Sequence, residues 1–110
     1  MLKRMLYLSL MIVFTFNSLS AQKNEVEYKR LTEREKGIYY FNESLYSGSC
    51  FENYPNGQKG MEGAFKNGKR DGVWTWYYEN GAKKRETVYC EGKIQGVSKI
   101  WYKNGNERFK

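Results

Sequence analysis

Apolar and polar residues alternate along this chain in short runs, and the runs recur at a fixed step of 24 residues. The clearest run is Val73-Trp74-Thr75-Trp76-Tyr77-Tyr78, whose β-branched and aromatic side chains suit a pleated, half-buried strand. Asn80-Gly81 follows, and because both residues tolerate positive φ the pair predicts a tight hairpin turn. Lys84 to Tyr89 then runs back as the partner strand, and Glu91-Gly92-Lys93 turns the chain again. The preceding unit repeats the plan with Cys50 to Tyr54, Asn56-Gly57, Met61 to Phe65 and Asn67-Gly68-Lys69. The last unit has Val97 to Tyr102 and Asn104-Gly105, and Ile38 to Phe41 stand first as a lone second strand. Gly48, Gly72 and Gly96 keep the step, as do Tyr54, Tyr78 and Tyr102, and Phe41, Phe65 and Tyr89. A recurring period of this size marks a repeat architecture. The expected fold is all-β: an elongated antiparallel sheet of stacked β-hairpin repeats over residues 37–110.

Side chains alternate between faces along a strand. Trp74, Trp76 and Tyr78 are expected on one face, with Ser98, Ile100 and Tyr102 as their repeat equivalents. Val73, Thr75 and Tyr77, then Val97, Lys99 and Trp101, belong to the other. Aromatics on both faces leave open which one packs and which one binds.

The recurring phrase is Gly72-Val73-Trp74-Thr75-Trp76-Tyr77-Tyr78-Glu79-Asn80-Gly81, followed by Tyr89 and Gly92-Lys93-Ile94-Gln95-Gly96. It resembles the bacterial variant of the MORN repeat, the membrane occupation and recognition nexus, over roughly residues 37–110. Some exported bacterial proteins of this kind carry an antitoxin-like label. The resemblance implies a twisted antiparallel sheet of hairpins, a role as a protein-interaction scaffold and, less directly, phospholipid binding. This chain departs from the pattern at Cys50 and Ser98, where the central repeat has Trp74.

The first residues change the picture of where the protein works. Lys3 and Arg4 form a basic start, Leu6 to Phe16 an apolar run, and Ser18-Leu19-Ser20-Ala21 a small-residue tail. This is the layout of a secretory signal peptide, residues 1–21, with cleavage after Ala21 or Ser20. The apolar run is shorter than the ~20 residues that span a bilayer. The expected location is periplasmic or secreted. Residues 22–36, QKNEVEYKRLTEREK, are charged and hold only Val26, Tyr28 and Leu31 as apolar anchors, so a linker or arm is expected there.

The net charge is +7, and losing Lys3 and Arg4 with the signal leaves 17 basic against 12 acidic residues, or +5. Such a balance favours acidic proteins, anionic lipid headgroups or polyanionic envelope polymers. Export argues against nucleic acid. Cys50 and Cys90 fall three strands apart in a meander, about 14 Å at ~4.8 Å per strand. A disulfide needs Cα atoms within about 7 Å, so both thiols are expected to be free.

No histidine is present, so Ser-His and Cys-His nucleophilic pairs are ruled out and metal sites lose their commonest ligand. Glu62 and Glu86 are repeat equivalents, better suited to cross-strand pairing with lysine than to paired acid catalysis. No enzyme activity, metal or cofactor is expected. The expected function is a binding module or scaffold of the cell envelope, contacting another protein through Trp74, Trp76, Tyr78, Ile100, Trp101 and Tyr102. An anionic membrane surface and a cell-wall glycan are the alternative ligands. The exposed terminal strands also leave self-association open.

Overall fold

The computed structural model describes residues 24–109, so the expected signal peptide lies outside the described residues. Within them the protein is all-β apart from one 3₁₀ turn. The strands are β1 (Glu25–Glu27), β2 (Thr32–Glu35), β3 (Ile38–Phe41), β4 (Ser44–Leu45), β5 (Gly48–Asn53), β6 (Lys59–Lys66), β7 (Lys69–Arg70), β8 (Gly72–Tyr77), β9 (Lys83–Cys90), β10 (Lys93–Trp101) and β11 (Glu107–Phe109). The main sheet runs β1-β5-β6-β8-β9-β10-β11, with β7 also on β6, and β2-β3-β4 form a second, small sheet. From β5 to β11 every pairing is antiparallel, as the hairpin pattern predicts.

Two expectations need correction. β1 pairs parallel with β5, Glu25 opposite Ser49 and Glu27 opposite Phe51, so the sheet is mixed rather than purely antiparallel. The same segment overturns the reading of residues 22–36 as a linker or arm. Its few apolar residues, Val26, Tyr28 and Leu31, are all docked against the core, which fixes a strand, the 3₁₀ turn Tyr28–Arg30 and then β2 in place.

The Asn-Gly turns also differ in detail. At Asn56-Gly57, Asn80-Gly81 and Asn104-Gly105 only the glycine has positive φ, 88°, 92° and 92°. Each is a three-residue loop: Gly57 N–H donates to Tyr54 O (2.9 Å) and Tyr54 N–H to Gln58 O (2.8 Å), with the same bonds at Tyr78 and Tyr102. This is a type I turn followed by a left-handed glycine, which also places Pro55 at the position such turns favour. The asparagine works through its side chain, Oδ1 accepting from the N–H two residues on in Gln58, Ala82 and Asn106. The two-residue turns with both φ positive are Asn67-Gly68, Glu91-Gly92 and Asn42-Glu43.

The core is aromatic and lies on one face of the main sheet. Tyr39, Tyr46, Cys50, Met61, Phe65 and Trp74 are buried, with Tyr28, Phe41, Trp76 and Tyr89 packed against them. Trp74 is fully buried, with ring centres at 5.2 Å to Phe65, 6.0 Å to Tyr89, 6.1 Å to Trp76 and 6.5 Å to Tyr28. Several of these contacts are edge-on, the geometry that aromatic quadrupoles favour. The indole N–H donates to Ala64 O at 3.1 Å. The small sheet closes this face: Tyr39 N–H donates to Gly68 O and Gly68 N–H to Tyr46 O, both at 2.8 Å.

Gly63 explains why only one repeat carries the full aromatic strand. Its Cα faces the Trp74 indole so closely that a Cβ there would lie inside the ring's contact distance. The residue 24 positions later is Thr87, 2% exposed, and its hydroxyl is 2.7 Å from that of Ser98, the equivalent of Trp74. A glycine seat takes a tryptophan, and a threonine seat takes a serine. Gly63→Ala should therefore destabilise the fold by about 1–3 kcal/mol through overpacking. Trp74→Ala should cost about 3–5 kcal/mol through the cavity it leaves. Denaturant titration of the two variants checks both values.

Candidate interaction surface

The six residues expected to form a contact surface do not share one environment. Trp74 is sealed in the core and is available to no ligand, because the segment from Val26 to Tyr46 covers the face it occupies. Trp76 lies further along the same face, half-buried, with the Arg85 guanidinium 4.2 Å above its ring centre. Arg85 pairs with Trp76 on β8 and with Ile100 on β10, so Trp76, Arg85 and Ile100 form one row across the sheet. Tyr78 stands at the end of this strand, its hydroxyl donating to Trp101 O at 2.7 Å and its ring beneath Lys84 Nζ at 5.8 Å.

Trp101 follows Ile100 on its strand and turns to the opposite face. There Lys83 Nζ lies 5.7 Å from its ring centre and 3.1 Å from Glu86. Tyr102 is 52% exposed at the last described turn. The structure thus leaves Trp76, Tyr78 and Ile100 partly exposed on one face, seals Trp74 against Trp76 beneath the cover, and turns Trp101 to the opposite face.

The opposite face carries a polar row in which Phe51, Glu62, Thr75, Glu86 and Lys99 stand side by side on successive strands. Glu62 accepts from Tyr77 Oη and from Lys59 Nζ at 3.1 Å. The tyrosine bond comes first among the causes that hold the Glu62 carboxyl below its ordinary range. Glu62 and Glu86 each pair with the lysine three residues before them on the same strand, Lys59 and Lys83, and not with the cross-strand basic residue that the sequence suggests.

Arg70 and Arg85 were not marked by the sequence reading. Arg70 caps the aromatic core: its guanidinium lies 4.6 Å from the Trp74 ring centre and donates to Tyr89 Oη and Tyr28 Oη, each at 3.3 Å. Tyr28 Oη in turn is 2.8 Å from Tyr39 Oη. Burial works against the charge, yet these hydrogen bonds outweigh it and hold the guanidinium above its ordinary pKa. A signal was present in the repeat alignment, because Arg70 occupies the step that holds Tyr46 before it and Ile94 after it. Arg85 gave none beyond its place opposite Trp76 in the hairpin.

A cleft of about 660 Å³ lies beside β1 and β4, with Glu25, Arg30, Phe41, Leu45 and Phe51 in its walls. No cluster of three or more His, Cys, Asp or Glu among the described residues is placed to hold a metal. No described helix is long and apolar enough to cross a membrane. No protein-family model, curated protein or solved structure matches the chain.

Cys50 is a free thiol, 1% exposed, and burial pushes its pKa up to about 12. Cys90 is free and exposed. A thiol reagent should therefore modify Cys90 in the native protein and Cys50 only on unfolding, a difference that mass spectrometry resolves. Burial, followed by the Tyr28 hydrogen bond, pushes Tyr39 to about 12. Burial and then the Glu62 hydrogen bond do the same for Tyr77. All three groups hold their protons more tightly when folded, so the stability they contribute is whole below their ordinary values of 9.0 and 10.0. It is lost as pH rises from there towards about 12. The thermal midpoint should fall across that alkaline window, and Cys50→Ala should move the onset of the fall towards the tyrosine range.

Proposed function

We propose that this chain is an exported, non-catalytic binding module of MORN-like kind that docks an acidic protein of the cell envelope. One observation carries the reading. Trp76 and Tyr78 are half-exposed beneath Arg85 and Lys84, and neither cation has a carboxylate within ion-pair distance among the described residues. Aromatic rings and arginine are what the centres of protein interfaces enrich. A cation already stacked on a ring keeps its hydrogen-bonding edge free for a carboxylate of the partner. Ile100 extends the strip with apolar area. The absence of histidine supports a role without acid–base or nucleophilic catalysis. The basic start, apolar run and small-residue tail of residues 1–21 support export.

The test is retention of partners from a native envelope extract on the immobilised chain, at low and high salt. The expected result is one protein that survives high salt. Trp76→Ala, with an unchanged thermal midpoint, should weaken it by about 2 kcal/mol or more, roughly thirtyfold in Kd. Arg85→Glu should weaken it further at low salt than at high salt. Retention of anionic lipid alone, abolished by salt, would replace this reading with a membrane-surface one. Retention of a glycan that survives salt but fails in Trp76→Ala would replace it with a cell-wall one.

A further inference from the structure

The turns at Tyr54–Gln58 and Tyr78–Ala82 are joined to the following turns by a repeated pair of hydrogen bonds. Tyr54 Oη donates to Tyr77 O at 2.6 Å, and Tyr78 Oη to Trp101 O at 2.7 Å. Asn56 Nδ2 donates to Glu79 O at 3.3 Å, and Asn80 Nδ2 to Lys103 O at 3.2 Å. Each of these two turns thus offers two side-chain donors forward, and the second receives two from the first on main-chain carbonyls.

The third turn is built identically but donates to nothing among the described residues. Tyr102 N–H bonds Asn106 O at 2.8 Å, Gly105 N–H bonds Tyr102 O at 2.9 Å, and Asn104 Oδ1 accepts from Asn106 N–H at 2.9 Å. Its asparagine is therefore fixed in the same attitude as Asn56 and Asn80, with Nδ2 pointed forward, and Tyr102 stands 52% exposed. At the other end of the series the receiving carbonyls, 24 residues before Tyr77 and Glu79, are those of Asn53 and Pro55. The residues that would donate to them by the same step are Arg30 and Thr32, which do not match the donor pair. β1 leaves the edge of β5 at Phe51, before these carbonyls are reached. Asn53 and Pro55 line an open groove of about 390 Å³ that includes Glu27, Glu52, Gly60 and Trp76.

We infer that the donors of one molecule dock on the acceptors of a second copy of this chain, joining the copies head to tail along the Asn-Gly edge. Tyr102 Oη reaches Asn53 O and Asn104 Nδ2 reaches Pro55 O of the next copy. The occupant is a second copy because the groove receives what this chain's own repeats donate, and the two halves sit on opposite ends of one sheet. Charge agrees: in the groove Lys29 pairs with Glu27, which leaves Glu52 exposed, and Lys103 is exposed beside the donors. A contact between two different surfaces does not close on itself, so the product is an open series rather than a dimer. The groove includes Trp76, so a second copy and an envelope partner would meet at one place, and sedimentation of the purified chain reads the self-association apart from retention of that partner.

The test is sedimentation of the purified chain from micromolar to near-millimolar concentration. The expected result is mass that grows continuously with concentration. Tyr102→Phe with Asn104→Asp removes both donors while keeping the Oδ1 acceptor that shapes the turn. The double variant should keep the wild-type thermal midpoint and associate at least about tenfold more weakly. It still has an intact receiving end, so added to the wild type in excess it should cap and shorten the assemblies. A monomer at every concentration, a mass that stops at two copies, or association unchanged in the double variant would each overturn the inference.

Discussion

The structure depends on one close approach, the seating of the Trp74 indole over Gly63. The missing side chain lets the ring lie against the backbone of the neighbouring strand, and its N–H then reaches Ala64 O. With the ring held there, Phe65, Tyr89, Trp76 and Tyr28 gather around its edges. Arg70 stacks on it and ties Tyr28 to Tyr89. A chain this poor in aliphatic residues has few other ways to build a dry interior, and aromatic area supplies what leucine and isoleucine would elsewhere. The N-terminal segment is drawn in as the cover for this ring.

Much of the strand order was legible because hairpins are local. The Val73–Tyr78 run, its Asn80-Gly81 turn and the returning Lys84–Tyr89 run announce themselves within twenty residues of sequence, and the pairings from β5 to β11 follow. The N-terminal segment was not legible. Val26, Tyr28 and Leu31 among nine charged neighbours carry no periodicity, and two of their partners, Cys50 and Arg70, are far along the chain. The environments of the expected contact residues were legible in part. Alternation placed Trp74 and Trp76 on one face correctly, yet it has no means of telling that a cover ends between them, leaving one ring sealed and its neighbour half-open. The departure at Ser98 was visible in the repeat, but its reason lies in Thr87, the residue it faces, where Trp74 faces Gly63.

The two edges of the repeat sheet are closed by different means. On the Asn-Gly edge, side chains reach from turn to turn, through Tyr54, Asn56, Tyr78 and Asn80. On the other edge main chain meets main chain: Gly68 N–H bonds Tyr46 O, and Gly92 N–H bonds Arg70 O. Every turn is thereby bound to its neighbour, which restrains the twist between hairpins that strand pairing alone would leave loose. The ion pairs Lys59–Glu62 and Lys83–Glu86 lie on the solvated face and add little to this by comparison.

The cover over Trp74 has a consequence for the order in which the protein takes shape. Arg70 and Tyr28, which meet across the sealed ring, are 42 residues apart. Each hairpin closes over a short loop, whereas this contact closes over nearly half the described chain, and long closures come late. The N-terminal side of this contact is thus the part of the described chain that finds its place last. Until the β6–β8 hairpin has formed, Tyr28 has no indole to sit against, and until Tyr28 arrives the indole faces water. The segment around Tyr28 waits on the hairpins that follow it, so the described fold is completed from its centre outward and sealed last over Trp74.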